Sequence, residues 1–452
     1  MAPLPVLLLP LFWSSPVQQP AAAPVAPLAA GPMVGHVGPD RARIWVQART
    51  PGWAWVEVRE EGGEWVRARW HDGRPARTVL VPEEDLAGVL EVPGLAPGRR
   101  YEYRIVRPEG PVPVVHEQAF RTPPPPGRAE DLVVAFGSCA GDWGEDPSQP
   151  IWKAVDGLRP DLFLWLGDDV YFSLAEKEWL DPAAMARRWR LQRALPALQP
   201  LLAHTAHYAV WDDHDYGPND ADKTWRGRDV ALGLFTRYWA NPGYGTGGEP
   251  GVWFRFRRGR VEFFLLDSRS HRDPAAQEPD RFKTQFGEVQ WRWLEEVLAA
   301  SDADFKVLCS PVQVLADYHS FEGWWAYPGD RRRLFDLVRR QRIDGLVLLS
   351  GDRHIGEVLV GRDLGYPLYE FCSSPLAAGI GTPPPAELPA RVPGTLVQQE
   401  NFGLLRFEFG VEGGPRLRYA AYGVSGQPLH PEVVVRLRQL RWPTQDETRA
   451  PR

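Results

Sequence analysis

Apolar and polar residues alternate with a period of two from about Gly31 to Arg121. In RARIWVQAR, Ala42, Ile44 and Val46 fall on one face of an extended chain and Arg43, Trp45 and Gln47 on the other, because residues two apart share a face of a strand. WAWVEVRE, EWVRARW and YEYRIV repeat this pattern between turns containing Gly and Pro, which predicts a small all-β sandwich over residues 31–121. The run TPPPPGRAED can neither continue a strand nor begin a helix before Gly127, so residues 122–130 read as a stiff linker.

From residue 131 the pattern changes to apolar runs separated by helical stretches. DLVVAFGSC, DLFLWLGDD, HYAVWDDHD, VEFFLLDSR, FKVLCS, GLVLLSGDRH and PLYEFCSS are seven apolar runs, most with polar residues at the C-terminal end. Between them, GEVQWRWLEEVLAAS and DRRRLFDLVRRQR have helical spacing, with Leu334, Leu337 and Val338 on one face and the arginines on a solvated one. NFGLLRFEF, PRLRYAAYGV and EVVVRLRQLR read as closing strands. Strands alternating with helices predict an α/β domain over residues 131–440, followed by a tail at 441–452.

Composition narrows the class. A chain of 452 residues exceeds one ordinary core, and 44% apolar residues with 20 Trp describe a folded rather than a disordered protein. A net charge of −6 gives no pull toward nucleic acid. Cys139, Cys309 and Cys372 permit at most one intrachain disulfide, and each follows an apolar run where a buried, inert thiol is the plain reading. Residues 1–30 combine an apolar stretch with an Ala/Pro-rich run, as in a signal peptide or disordered leader, and so predict a secreted or periplasmic protein, although no Lys or Arg precedes Arg41. No later segment has eighteen uninterrupted apolar residues, so no transmembrane segment is expected.

Candidate chemistry sits where the strands end. In open α/β sheets, ligands gather beyond the C-terminal ends of strands. LWLGDDVY delivers Asp168, Asp169 and Tyr171, with Gly167 permitting a sharp turn; an acidic pair there is also a common turn or helix cap. VWDDHDYGPND crowds Asp212, Asp213, His214, Asp215, Asn219 and Asp220 into one loop, and such carboxylates repel one another unless solvated, protonated or neutralised by a cation. SGDRHIGEV places Asp352 and His354 two apart, on one face of an extended chain, with Arg353 between them. Trp143, Trp324, Trp325 and Tyr327 are candidates for a pocket wall and equally for core packing.

FGSC, LGDDVY, WDDHDYGPND, LDSR, FGEVQWRWLEEVL, a Gln-Val-Leu strand end and SGDRHIGEV occur in this order across residues 131–360, and together they resemble the motifs of the PhoD-like (alkaline phosphatase D) metallophosphoesterases. LEVPGLAPGRRYEYRIV resembles a fibronectin type III-like module, which precedes the catalytic domain in that family. The resemblance implies a four-layer αββα core of two packed sheets flanked by helices. It also implies a dinuclear or trinuclear centre of iron, Fe(3+), with divalent cations, usually calcium, Ca(2+); zinc, manganese and magnesium are alternatives.

Carried over residue by residue, it makes Cys139, Tyr171 and His354 ligands of the iron, Asp168 a bridge between two metals, and Asp213 and Asp352 ligands of the second metal. Asn219 or Asp220 would hold a further calcium. Asp212 and Asp213 alternate in direction, which favours Asp213 alone toward the metals. The ligand after the fifth strand, in CSPVQVL, is open between Ser310 and Gln313. Thiolate, phenolate and carboxylates suit a trivalent ion.

The implied reaction is hydrolysis of phosphate monoesters or diesters, lipid head groups included, by a hydroxide bridging two metals. In it His214 stabilises the transition state or protonates the leaving oxygen, and Arg353 clamps a phosphate oxygen or instead pairs with Asp215 or a neighbouring acid. The alternatives are a phosphodiesterase or phospholipase D-like enzyme, and a metal-stabilised binding protein without turnover. The sequence names no partner for the N-terminal sandwich.

Overall fold

The computed structural model describes residues 27–141, 148–172, 178–382, 385 and 387–443. Residues 1–26 of the leader, Trp143 and residues 444–452 of the tail lie outside the described residues.

The N-terminal strands form two antiparallel sheets. Leu28–Val37, Arg41–Ala48 and Ala87–Pro93 make the first. In the second, Gly52–Glu60 and Arg100–Arg107 pair at the centre, with short strands along their edges. Ala42, Ile44 and Val46 are buried, as alternation requires, but Trp45 and Gln47 on the opposite face are buried too. That face is covered by the following domain rather than by water. Trp45 Nε1 donates to the Arg237 carbonyl at 2.9 Å, the amide of His36 to Ala240 at 2.8 Å, and Tyr103 Oη to Ala203 at 2.9 Å. Gly35 makes the approach possible, since a Cβ there would stand 2.3 Å from Ala240 Cβ.

The larger domain is built on two six-stranded sheets. The first contains β1 (Leu132–Gly137), β2 (Leu162–Leu166), β3 (Ala206–Val210), β10 (Phe402–Glu408), β11 (Arg416–Tyr422) and β12 (Val433–Arg436), in the order β3-β2-β1-β10-β11-β12. The second contains β4 (Phe254–Arg258), β5 (Val261–Leu265), β6 (Phe305–Cys309), β7 (Leu346–Ser350), β8 (Glu357–Gly361) and β9 (Leu368–Cys372), in the order β4-β5-β6-β7-β9-β8. The strands β1, β2 and β3 run parallel, as do β5, β6, β7 and β9.

The sheets pack face to face through aromatic side chains. Tyr208 of β3 stacks on Phe256 of β4 at 3.7 Å, and Phe371 of β9 meets Tyr419 of β11 at 4.5 Å. Helices cover the outer faces. Trp152 of α1 (Ile151–Gly157) lies 4.7 Å from Trp165 of β2, and Gln290 of the helix Gly287–Ala299 clamps both the amide and the carbonyl of Asp267, just beyond β5. The result is the four-layer αββα arrangement. Every residue of β2, β3, β5, β6 and β7 is buried, so both faces of each strand are covered and its sequence is mostly apolar, with His207, Glu262 and Lys306 among the buried exceptions.

Candidate metal centre

The parallel strands of both sheets end at one crevice. β1 leads into Cys139, β2 into Asp168, β3 into Asp212, Asp213 and His214, and β7 into Asp352, Arg353 and His354. The backbone turns abruptly at each point: Cys139, Asp168, Asp352 and His354 have φ of 62°, 53°, 65° and 54°. A side chain in the left-handed region is strained by roughly 1–3 kcal/mol, and such residues cluster at functional sites. Hydrogen bonds hold these turns in place. The Asp352 amide donates to Ser138 Oγ at 3.0 Å, the His354 amide to Ser374 Oγ at 3.2 Å, and the His214 amide to Asp168 Oδ1 at 3.2 Å. Gly167 has φ of 94°, and a Cβ there would lie 2.5 Å from Asp212 Cβ. Only glycine lets the ends of β2 and β3 come this close.

The donor atoms converge in overlapping groups. Cys139, Asp168 and His354 form one, with ligand atoms within 4.8 Å of one another; Asp168, Asp213 and His214 form a second. Asp212, Glu322 and Asp352 form a third, and Asp213, Asp220 and Glu322 a fourth. Cys139 Sγ is 3.6 Å from Asp168 Oδ2, to which Tyr171 Oη donates at 3.0 Å, and Tyr171 Oη is 3.4 Å from His354 Nε2. The Gly379 carbonyl faces His354 Nδ1. A carbonyl only accepts, so the proton sits on Nδ1 and the Nε2 lone pair points into the group. His214 lies with its ring 4.5 Å from that of Tyr171 and its Nε2 3.8 Å from Asp213 Oδ1. Asn219 lines the crevice at its exposed edge.

Electrostatics favour cations here. Burial, reinforced by Asp213 and Asp212, pushes the Asp168 carboxyl well above its usual range, and burial with Asp212 and Glu322 does the same to Asp352. Burial, Asp168 and Asp352 raise the Cys139 thiol, and burial, Asp168 and Cys139 raise the Tyr171 phenol. For Asp213, burial is outweighed by Arg269, by His214 and by the Asp220 amide at 2.7 Å, which hold it at about 2. Asp212 Oδ2 is buried with no hydrogen-bond partner among the described residues. Leaving a carboxylate oxygen so placed is costly unless a proton or cation meets it. The thiol, the phenol, the free imidazole nitrogen and this oxygen together supply a mixed sulfur, oxygen and nitrogen donor set that fits a transition-metal centre.

Several expectations change. Ser310 Oγ donates to the Val312 carbonyl at 2.7 Å and accepts from Trp324 Nε1 at 3.0 Å, while Gln313 Nε2 donates to Glu357 at 2.7 Å. Both side chains are occupied inside the core, and Glu322, on the loop beyond β6, takes the place sought for them beside the acids. Its carboxylate accepts from Arg269 Nη1 at 3.1 Å and also from Arg272, and Arg269 Nε in turn donates to Asp212 Oδ1 at 2.6 Å. Asp213 lines the crevice, as expected, whereas Asp212 lies beneath its surface, tied to Arg269 and grouped with Glu322 and Asp352. Trp324 is no pocket wall: it is fully buried, 4.9 Å from Phe286. Trp325 and Tyr327 do line the crevice, a cavity of about 560 Å³. Arg353 does not pair with Asp215. Among the described residues its guanidinium makes no ion pair and instead stacks over Phe321 at 4.1 Å. The three thiols are unpaired and buried.

Two packed sheets with helices outside, and acids, imidazoles, a thiol and a phenol at the strand ends, define a metallophosphoesterase fold. The solved structure of PhoD superposes with a TM-score of 0.73 over 92% of this chain and 93% of that one, at 18% identity. The purple acid phosphatase PPD1 from yellow lupin (Lupinus luteus) seeds gives 0.64 over 92% and 76%, at 13% identity. The family model for PhoD-like phosphatases matches residues 134–404, and the chain belongs to that family. It is 23% identical over 312 residues to alkaline phosphatase D of Bacillus subtilis (strain 168), covering 59% of this chain and 52% of that protein, so the match spans about half of the relative's length. Residues 25–124 match DUF7800, a domain of unknown function. The fibronectin type III likeness of this module remains a reading of its sequence.

Proposed function

We propose that this protein hydrolyses phosphate esters with cations held in the crevice. One observation carries the reading: Asp168 belongs both to the group with Cys139 and His354 and to the group with Asp213 and His214, as a carboxylate bridging two cations must. Cys139, Tyr171, Asp168 and His354 are the donors for iron(III), a trivalent ion suited to thiolate and phenolate. Asp213, Asp352, Asp212 and Glu322 are oxygen donors suited to calcium or, with fewer of them, to zinc, manganese or magnesium; Asn219 is the candidate for a further calcium. When bound, such ions supply Lewis-acid charge and generate a nucleophile from water near neutral pH.

The chain's own residues do the rest. His214, at the crevice with its ring beside that of Tyr171, stabilises the transition state or protonates the leaving oxygen. Arg353 turns its donors to a phosphate oxygen while Phe321 supports its flat face. The left-handed turns at Cys139, Asp168, Asp352 and His354 fix the donors before substrate arrives, which lowers the reorganisation needed in the transition state. Export belongs to this reading through the apolar leader. None of the helices among the described residues is long and apolar enough to cross a membrane.

Hydrolysis of p-nitrophenyl phosphate and bis(p-nitrophenyl) phosphate by one batch, before and after removal and return of metal, tests the proposal. Turnover lost and regained with metal is expected. Turnover of neither ester by folded, metal-loaded protein would refute it.

A further inference from the structure

The crevice does not end at the acids. A second cavity of about 530 Å³ adjoins it, and Ser320, Phe321, Trp325, Arg353 and Thr382 line both. The first lobe holds the carboxylates; the second holds none of the metal-centre donors and is walled by Tyr318, His319, Phe321, Trp325 and Pro385, with Asp317 at its edge. A volume of this size accommodates a ring-bearing organic group.

The wall between the lobes is fixed. Phe321 stands 46% exposed, yet its neighbours are tied down on both sides. His319 Nε2 lies 3.2 Å from Gln313 Oε1 and Tyr318 Oη donates to Glu357, while Glu322 accepts from Arg269 at 3.1 Å and Trp325 Nε1 donates to the Phe321 carbonyl at 2.7 Å. An exposed aromatic ring on so anchored a backbone is a preorganised flat surface. Arg353 lies against it and lines both lobes, so a phosphoryl group that it holds places one ester oxygen toward each.

From this arrangement we infer that the second lobe binds a planar aromatic substituent, so that among phosphodiesters the protein selects those carrying one. The inference rests on the phosphoesterase reading. A monoester fills the first lobe alone. A diester has a second substituent, and the aromatic walls at Phe321, Trp325 and Tyr318 favour a ring over an alkyl chain.

Two diesters with the same leaving group and the same single charge test this: bis(p-nitrophenyl) phosphate and methyl p-nitrophenyl phosphate. The ratio of their kcat/KM values is measured in the wild type, Phe321→Ala, Phe321→Leu and Trp325→Ala, all metal-loaded. The expected result is a fall of about tenfold in the ratio for Phe321→Ala, equivalent to about 1.4 kcal/mol, with a fall also for Phe321→Leu, which keeps bulk without a ring. A ratio unmoved in all three variants, even where both rates drop together, would overturn the inference and leave the phosphoesterase reading standing. Wild-type protein inactive on both diesters and on p-nitrophenyl phosphate would sink that reading itself.

Discussion

Replacing Glu322 with glutamine preserves the size of the side chain and removes a carboxylate that two buried guanidinium groups share. Arg269 and Arg272 have side chains 0% and 2% exposed, and Glu322 itself is 11% exposed. Removing one partner of a buried ion pair costs about 3–5 kcal/mol, because a charge is left in a poorly solvated place. Here Arg269 keeps Asp212, and Arg272 keeps Gln285 Oε1 at 3.0 Å, so the lower end, about 3 kcal/mol, applies. With an unfolding entropy of about 1 kcal/mol/K for a chain of 452 residues, that is a fall of about 3 °C in Tm. Equilibrium unfolding of chelated protein isolates the ion pair from any cation. A double-mutant cycle with Arg272→Met should then return a coupling of about 1.5 kcal/mol or more. Destabilisation below about 0.5 kcal/mol with no coupling would refute the role of Glu322 as their counter-charge.

Other consequences follow from the same geometry. Gly167→Ala puts a methyl group against Asp212 in a left-handed turn; metal content measured on folded protein should fall at least severalfold, and full metal content would contradict the close approach. Cys139→Ser should shift and weaken the visible charge-transfer absorption of iron-loaded protein, leaving the part due to the Tyr171 phenolate, while the far-ultraviolet circular dichroism stays that of the wild type; an unchanged visible spectrum would exclude a thiolate ligand. In chelated protein, burial chiefly raises Asp212 to about 7 and Asp215 to about 8 from 3.8, so between about pH 4 and 8 the native state binds more protons than the unfolded one. Its Tm should therefore fall as pH rises through this window, and added cations should restore it at pH 8; a Tm rising with pH would contradict the sign.

The fold was legible wherever both faces of a strand are buried, since LFLWL and LVLLS leave no other reading. It was least legible at edges and in mixed segments. Phe254–Arg258, FRFRR, carries arginines because it borders its sheet, and the helices Pro182–Arg193 and Arg228–Tyr238 are too polar or too interrupted by glycine to declare their period. Alternation in RARIWVQAR was clear, but it gave no sign that the second face would be covered by another domain.

The crevice was legible in part for a related reason. Cys139, Asp168, Asp352 and His354 each directly follow an apolar strand, so local pattern locates them. Glu322 lies in SFEGWWAY, a loop with no motif of its own, and its importance arises from Arg269 and Arg272, some fifty positions earlier in the chain. The available signal was the buried arginine of LDSR, which needs an acid from elsewhere. Phe321, next to Glu322, is equally silent in sequence.

The central claim is that Asp168 joins two cation sites on which turnover depends. Elemental analysis of the purified protein, paired with turnover of p-nitrophenyl phosphate and bis(p-nitrophenyl) phosphate on the same samples as metal is stripped and returned, tests it most directly. The account predicts two to three metal equivalents per chain in the active protein, with activity lost as the content falls below two. Full activity at less than one equivalent per chain would contradict it.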